Sequence, residues 1–165
     1  MAGTANDARL KAKSWAGLVE GPPVDKAIMN PYCKVTGRKG LKSKLVAWCM
    51  IMCIMALILS GVPSSKVYKS SGCTQQLKWF KKKKRFKARG VTPKVGWIVF
   101  YNFKNSKTTI STHAGIVTSV NYKKKGYMYV CEGNKKLKNG KDGVGYRHIN
   151  FKSKYIVGFG IPYYK

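Results

Sequence analysis

Apolar and polar positions change their rhythm once along this chain. From Asn6 to Leu18, Ala8, Ala12, Trp15 and Ala16 recur at helical spacing between Arg and Lys, predicting an amphipathic helix with one face on the core. Glu20 to Lys44 (EGPPVDKAIMNPYCKVTGRKGLKSK) shows no sustained period and is rich in Pro, Gly and polar residues, which predicts a long surface loop. Leu45 to Leu59 is apolar all round, but its 15 residues fall short of the roughly 20 that a bilayer span requires. Lys44 before it and Gly61, Pro63 and Ser64 after it punctuate a buried helix over about 47–60. Thr74 to Phe86 (TQQLKWFKKKKRF) sets Leu77, Trp79, Phe80 and Phe86 among lysines, a short basic helix with Thr74 as its cap.

Beyond Gly90 and Pro93 the texture turns β-branched and aromatic. WIVFYNF, HAGIVTSVNY, YMYVCEGN, VGYRHINF and YIVGFGIP are separated by Gly, Lys and Asn turns and predict a five-stranded, mainly antiparallel sheet. The lysine-rich stretches Lys123 to Lys125 and Lys135 to Lys141 fit hairpin connections. Helices first and strands afterwards define an α+β fold. With no internal repeat and no linker, the expectation is one domain over 1–165, helical over 1–90 and sheet over 91–165.

Composition bears on partners more than on fold. Thirty-three Lys and Arg against five acids leave a formal charge of +28, the signature of a polyanionic partner: nucleic acid, an anionic membrane surface or a bacterial wall carrying phosphate polymers. Aromatics interleaved with lysines in WFKKKKRF and NYKKKGYMY favour a nucleic-acid-binding module as the main rival to an enzyme, although no nucleic-acid motif accompanies them. The five cysteines are odd in number, with no CxxC pair and no histidines at zinc-ligand spacing, so neither a disulfide scaffold nor a zinc site is expected. The N-terminus MAGTANDARLKAKSW lacks the apolar stretch of a signal peptide, which predicts synthesis in a reducing cytoplasm.

The candidate chemistry is that of a thiol. Cys49 falls at the predicted start of the apolar helix, where unpaired N–H groups favour the thiolate. Cys53 reads as a small buried hydrophobe, Cys33 and Cys73 fall in polar loops, and Cys131 alternates with Glu132 and so points to the other face. His113 opens an alternating strand and is followed by the small pair Ala114 and Gly115, whereas His148 reads as structural. If Tyr122 pairs with Tyr127 across the KKKG turn, His113 lies opposite Lys136 and diagonal to Asn134. Glu132 and Asn134 share one face, and a single bulge would bring either beside the imidazole, completing a nucleophile, base and orienter.

GLVEGP, NPYCK, AWC with its apolar helix, SSGC, WF, PKVGWIVF, HAGIV, EGN and the closing VGFGIPYY follow one another over nearly the whole chain. In that order and spacing they resemble the CHAP amidohydrolases and peptidases, papain-like enzymes of bacteriophages and bacteria that cut peptidoglycan. The resemblance implies a nucleophile helix packed on an antiparallel sheet, a nucleophile at Cys49, a base at His113 and polar orienting positions at Glu132 and Asn134. It also implies an N-acetylmuramoyl-L-alanine amidase or endopeptidase, acting at the cell wall as a free phage lysin or in association with phage tail proteins. A virion component that retains the fold for assembly is a third reading. Trp97 stands where such proteins usually carry an aspartate, and with acids so scarce no carboxylate calcium site and no cofactor is expected. The backbone N–H of Cys49 is the expected oxyanion donor.

Overall fold

The computed structural model describes residues 2–104 and 109–165. Helix α1 spans Ala5–Lys13 and is closed by a capping box in which Thr4 and Asp7 bond each other's backbone N–H groups. Ala8 and Ala12 are buried as the spacing predicts, but the helix stops at Lys13 and Trp15 reaches the core from a turn.

The predicted loop over Glu20 to Lys44 is largely helical. Helix α2 (Pro22–Val24), a π turn (Asp25–Met29) and helix α3 (Asn30–Thr36) run on continuously. Pro22 and Pro23 sit where a helix has no use for their missing N–H groups, and Pro31 follows the π turn in the first turn of α3. Val24, Ile28 and Tyr32, four residues apart, are the buried stripe.

Helix α4 (Cys49–Leu59) is buried on every side from Cys49 to Leu57, and α5 (Cys73–Lys82) buries Cys73, Gln76, Leu77 and Phe80. Thr74 does not cap α5. The cap position is Gly72, and the Thr74 hydroxyl instead donates to the Ser111 carbonyl. Among the described residues no helix is long and apolar enough to cross a membrane.

The fold is α+β, with one antiparallel sheet of six strands ordered β1-β6-β2-β3-β4-β5. The strands are β1 (Phe86–Ala88), β2 (Ile98–Tyr101), β3 (His113–Val120), β4 (Tyr127–Lys136), β5 (Asp142–Asn150) and β6 (Ile156–Gly160). The sixth strand beyond the five expected is β1, three mostly exposed residues at the sheet edge, too short to show an alternating pattern. One sheet face, with Ile98, Phe100, Ala114, Ile116, Cys131, Val144 and Val157, packs on the helices; the other gathers Val99, Tyr101, Val117, Val130 and Phe159.

The hairpin register differs from the expected one. Val120 pairs with Met128 and Ser119 with Tyr129, but past a bulge Val117 pairs with Val130 and Ile116 with Cys131. The pairing is one residue off the expected register already at the turn and slips by one more at the bulge, so Lys136 is not the neighbour of His113.

Candidate active site

The site forms where the first residue of α4 meets the ends of β3 and β4. Trp48 precedes α4 and brings no side-chain cap. The cap comes from 85 residues further on: Asn134 Oδ1 accepts the backbone N–H of Trp48 at 2.6 Å and of Cys49 at 2.9 Å. Asn134 can turn toward the helix because it sits at φ 49°, in a second bulge where the β4–β5 pairing shifts between Glu132 and Lys135. Between them Gly133 permits the approach, since a Cβ there would stand 2.6 Å from the Trp48 ring and 3.3 Å from Cys49 Cα. The EGN tripeptide therefore divides its work: Glu132 faces the histidine, Gly133 admits the helix, and Asn134 fixes its first turn.

Glu132 settles the question of which polar residue reaches His113. His113 Nε2 lies 3.1 Å from Glu132 Oε2, while Asn134 is committed to α4. Gly115 makes room for this contact, because a Cβ there would fall 2.7 Å from Glu132 Cγ. With Nε2 engaged by Glu132, Nδ1 is the ring nitrogen left for Cys49, whose thiol and the His113 ring shift each other's pKa. The ring also stacks on Tyr101, centroids 5.8 Å apart.

Glu132 is fully buried, a costly place for a carboxylate without partners. Arg147 on β5 supplies one: its Nε donates to Oε1 at 2.8 Å and to Oε2 at 3.1 Å. The guanidinium in turn lies 4.8 Å from the Phe103 ring centroid and 5.4 Å from that of Tyr101. Burial pushes the Glu132 carboxyl up, but the hydrogen bonds from His113 and Arg147 outweigh it and hold its pKa below the usual carboxylate range.

The thiol is tuned in the same manner. The Cys73 thiol, with Sγ 3.8 Å from Cys49 Sγ, is the largest influence lowering the pKa of Cys49; burial opposes it, and His113 adds a hydrogen bond and positive charge. The net shift takes Cys49 well below an ordinary thiol. For His113, burial disfavours the charged ring, yet bonds to Cys49 and Glu132 prevail and push its pKa up to about 9. The two shifts run in the same sense, favouring a charged thiolate beside a charged imidazolium.

Two expectations are corrected here. Cys73 is not a loop residue but the buried first residue of α5, against the very sulfur it was separated from in the sequence. The Cys49 N–H expected to hold an oxyanion is taken by Asn134. Arg147 was missed altogether, since an arginine in a chain with 33 Lys and Arg carries no signal of its own. The remaining cysteines lie elsewhere: Cys53 is enclosed in α4, Cys131 donates to the Ala12 carbonyl, and Cys33 is on α3. All five are free thiols. His148 stacks on Tyr129 with centroids 4.4 Å apart, a structural place. Among the described residues no three His, Cys, Asp or Glu side chains are grouped as metal ligands.

A family model, the CHAP domain, matches residues 42–134, more than half of the chain. The chain belongs to the CHAP domain family. As a CHAP protein it is a hydrolase of the peptidoglycan amidase or peptidase kind. The matched span opens just ahead of Cys49 and ends on Asn134, so it contains Cys49, Cys73, His113 and Glu132 but stops short of Arg147. No curated protein and no solved structure matches the chain.

Proposed function

We propose that this CHAP protein cleaves an amide bond of peptidoglycan with Cys49 as nucleophile and His113 as its proton carrier. The observation that carries the reading is the buried Glu132 held between His113 and Arg147, with Cys49 at the start of α4 within electrostatic reach of the same His113. In the resting pair the thiolate is already formed, so attack on the carbonyl carbon needs no prior proton transfer. As the carbon–nitrogen bond breaks, the His113 imidazolium gives its proton to the leaving amine, and the acyl group remains as a thioester on Cys49. His113, now neutral, takes a proton from water, the hydroxide displaces the thiolate, and the carboxylic acid departs. Glu132 keeps the ring oriented and stabilises its charged state in each half-reaction, while Arg147 keeps Glu132 ionised.

The bond is either the N-acetylmuramoyl-L-alanine amide or a peptide link of the stem or cross-bridge. The charge of +28 suits a substrate embedded in a polyanionic wall, where a cationic protein accumulates and from which salt releases it. The resemblance to phage enzymes supports a lysin, free or tail-associated. Clearing of purified cell walls tests the catalytic set: Cys49→Ala and His113→Ala should each abolish it, and clearing retained by Cys49→Ala would overturn the assignment. Mass spectrometry of the digest identifies the bond, since an amidase frees the lactyl carboxylate and the alanine amine, and an endopeptidase leaves both joined.

A further inference from the structure

Cys73 makes and breaks no bond in the hydrolysis proposed above, yet its sulfur is 3.8 Å from that of Cys49, and both side chains are buried. We propose that Cys49 and Cys73 together form a site of oxidative modification, at which a hydroperoxide converts the two thiols to a disulfide and shuts off the nucleophile. The proposal rests on the reading of Cys49 as the reactive thiol.

The placement of Cys73 is built. Its neighbour Thr74 both donates to the Ser111 carbonyl and accepts the Ser111 N–H, each at 3.1 Å. The Ser111 hydroxyl donates to the His113 carbonyl at 3.0 Å. One turn on, the Gln76 amide donates to the carbonyls of Tyr68 and Ser70. The start of α5 is thereby tied to the strand that carries His113, and Cys73 is held against Cys49 rather than resting there by chance. A disulfide has its sulfurs about 2.05 Å apart, so rotation about the two side chains must close the remaining gap.

The chemistry balances with one hydroperoxide. The Cys49 thiolate attacks the terminal peroxide oxygen, the O–O bond breaks, and the alkoxide leaves as an alcohol, or as water from hydrogen peroxide, with a proton from His113. Cys49 becomes a sulfenic acid, its sulfur oxidised by two electrons. Cys73 then attacks that sulfur; the S–S bond forms, the S–O bond breaks, and the hydroxide leaves with the Cys73 proton as water. The hydrogen bond to Cys49, together with burial, pushes the Cys73 thiol up.

The full chain treated with hydrogen peroxide should lose two hydrogens by intact mass, yield a proteolytic fragment joining Cys49 to Cys73, lose wall clearing, and recover it in dithiothreitol. In Cys73→Ser, and in Cys73→Ala as a second variant, Cys49 has no partner and proceeds to sulfinic acid. Each should gain two oxygens and lose its own untreated activity without recovery in dithiothreitol. The proposal is overturned if wild type overoxidises Cys49 without forming the bridge, or if the variants recover as wild type does. Because the bridge is read by mass, it is scored whether or not the chain clears walls: a bridge without wall hydrolysis refutes the proposed function alone, and hydrolysis without a bridge refutes this inference alone.

Discussion

Replacing Arg147 with Met tests whether the outer end of the contact chain matters. Met keeps the apolar stem but removes both hydrogen bonds to Glu132, whose side chain is 0% exposed against 27% for Arg147. Stranding a fully buried charge costs about 3–5 kcal/mol. His113 still faces Glu132 and Arg147 is partly solvated, so a loss of roughly 2–3 kcal/mol is the expectation here. The pH dependence carries the sign. The folded-state pKa of Glu132 lies below its ordinary value, so its stabilisation is present above the ordinary carboxylate range and lost as pH falls through the depressed value. In Arg147→Met burial is opposed by His113 alone, the pKa rises, and the acid-side loss of stability should begin at a higher pH. Urea unfolding of Arg147→Met, Glu132→Gln and the double variant at pH 7 and pH 5 measures both effects, and the cycle isolates a coupling of about 2 kcal/mol at pH 7. Arg147→Lys, a point charge without the fork, should fall between. If Arg147→Met unfolds within about 0.5 kcal/mol of wild type with an unshifted acid limb, the pairing is ornamental and the reasoning fails.

The raised pKa of His113 predicts the opposite limb: its contribution to stability is complete below the ordinary pKa of 6.5 and disappears as pH rises through about 9, which urea titrations between those values should follow. The same pair predicts that alkylation of Cys49 by iodoacetamide is already near its plateau at pH 7, and a rate that climbs only through the ordinary thiol value of about 8.5 would contradict it. Asn134→Ala leaves two N–H groups at the head of α4 without an acceptor and should cost about 1–2 kcal/mol in thermal unfolding, whereas Asn134→Asp retains the oxygen and most of the stability. Gly133→Ala drives a methyl group into the Trp48 ring and should cost about 1–3 kcal/mol while displacing Cys49, read as reduced wall clearing at a temperature where the variant is still folded.

What the chain discloses before folding follows from how local each cause is. The apolar run of α4 and the β-branched segments beyond Gly90 are legible because burial on all sides, or alternation, is written in adjacent residues. The helix over 22–36 is hidden behind Pro22, Pro23 and Pro31, which act as breakers in an arbitrary place and as starters at a first turn; only the stripe of Val24, Ile28 and Tyr32 betrays it. His113 and Glu132 stand out as scarce residue types in regular strands, with Asn134 beside Glu132 on the same face, but their division of labour hangs on two bulges that no residue pattern announces. Cys73 is the extreme case. Its neighbours Ser71 and Gly72 give the texture of a loop, and the contact with Cys49 exists only because α5 is anchored to Ser111, 37 residues away from Thr74.

The five acids resolve a puzzle that the composition poses. Asp7 closes the cap of α1. Asp142 pairs with Lys136 at 3.0 Å, half in solvent, where an ion pair adds little. The other three converge on the approach to Cys49. Glu20 accepts the Trp48 indole N–H at 3.0 Å, and Asp25 accepts the Ser43 N–H at 2.7 Å. The Ser43 hydroxyl accepts the Gly21 N–H, so Glu20 and Asp25 tie the segment leading into α4 to the segment 20–25. Glu132 holds His113 from the sheet side. In a chain with 33 Lys and Arg, an acid placed for solubility alone has little to do, because mutual repulsion of the cations already keeps the chains apart. The acids stand where an N–H or a cation needs a fixed acceptor, and three of the five lie on the elements around one thiol.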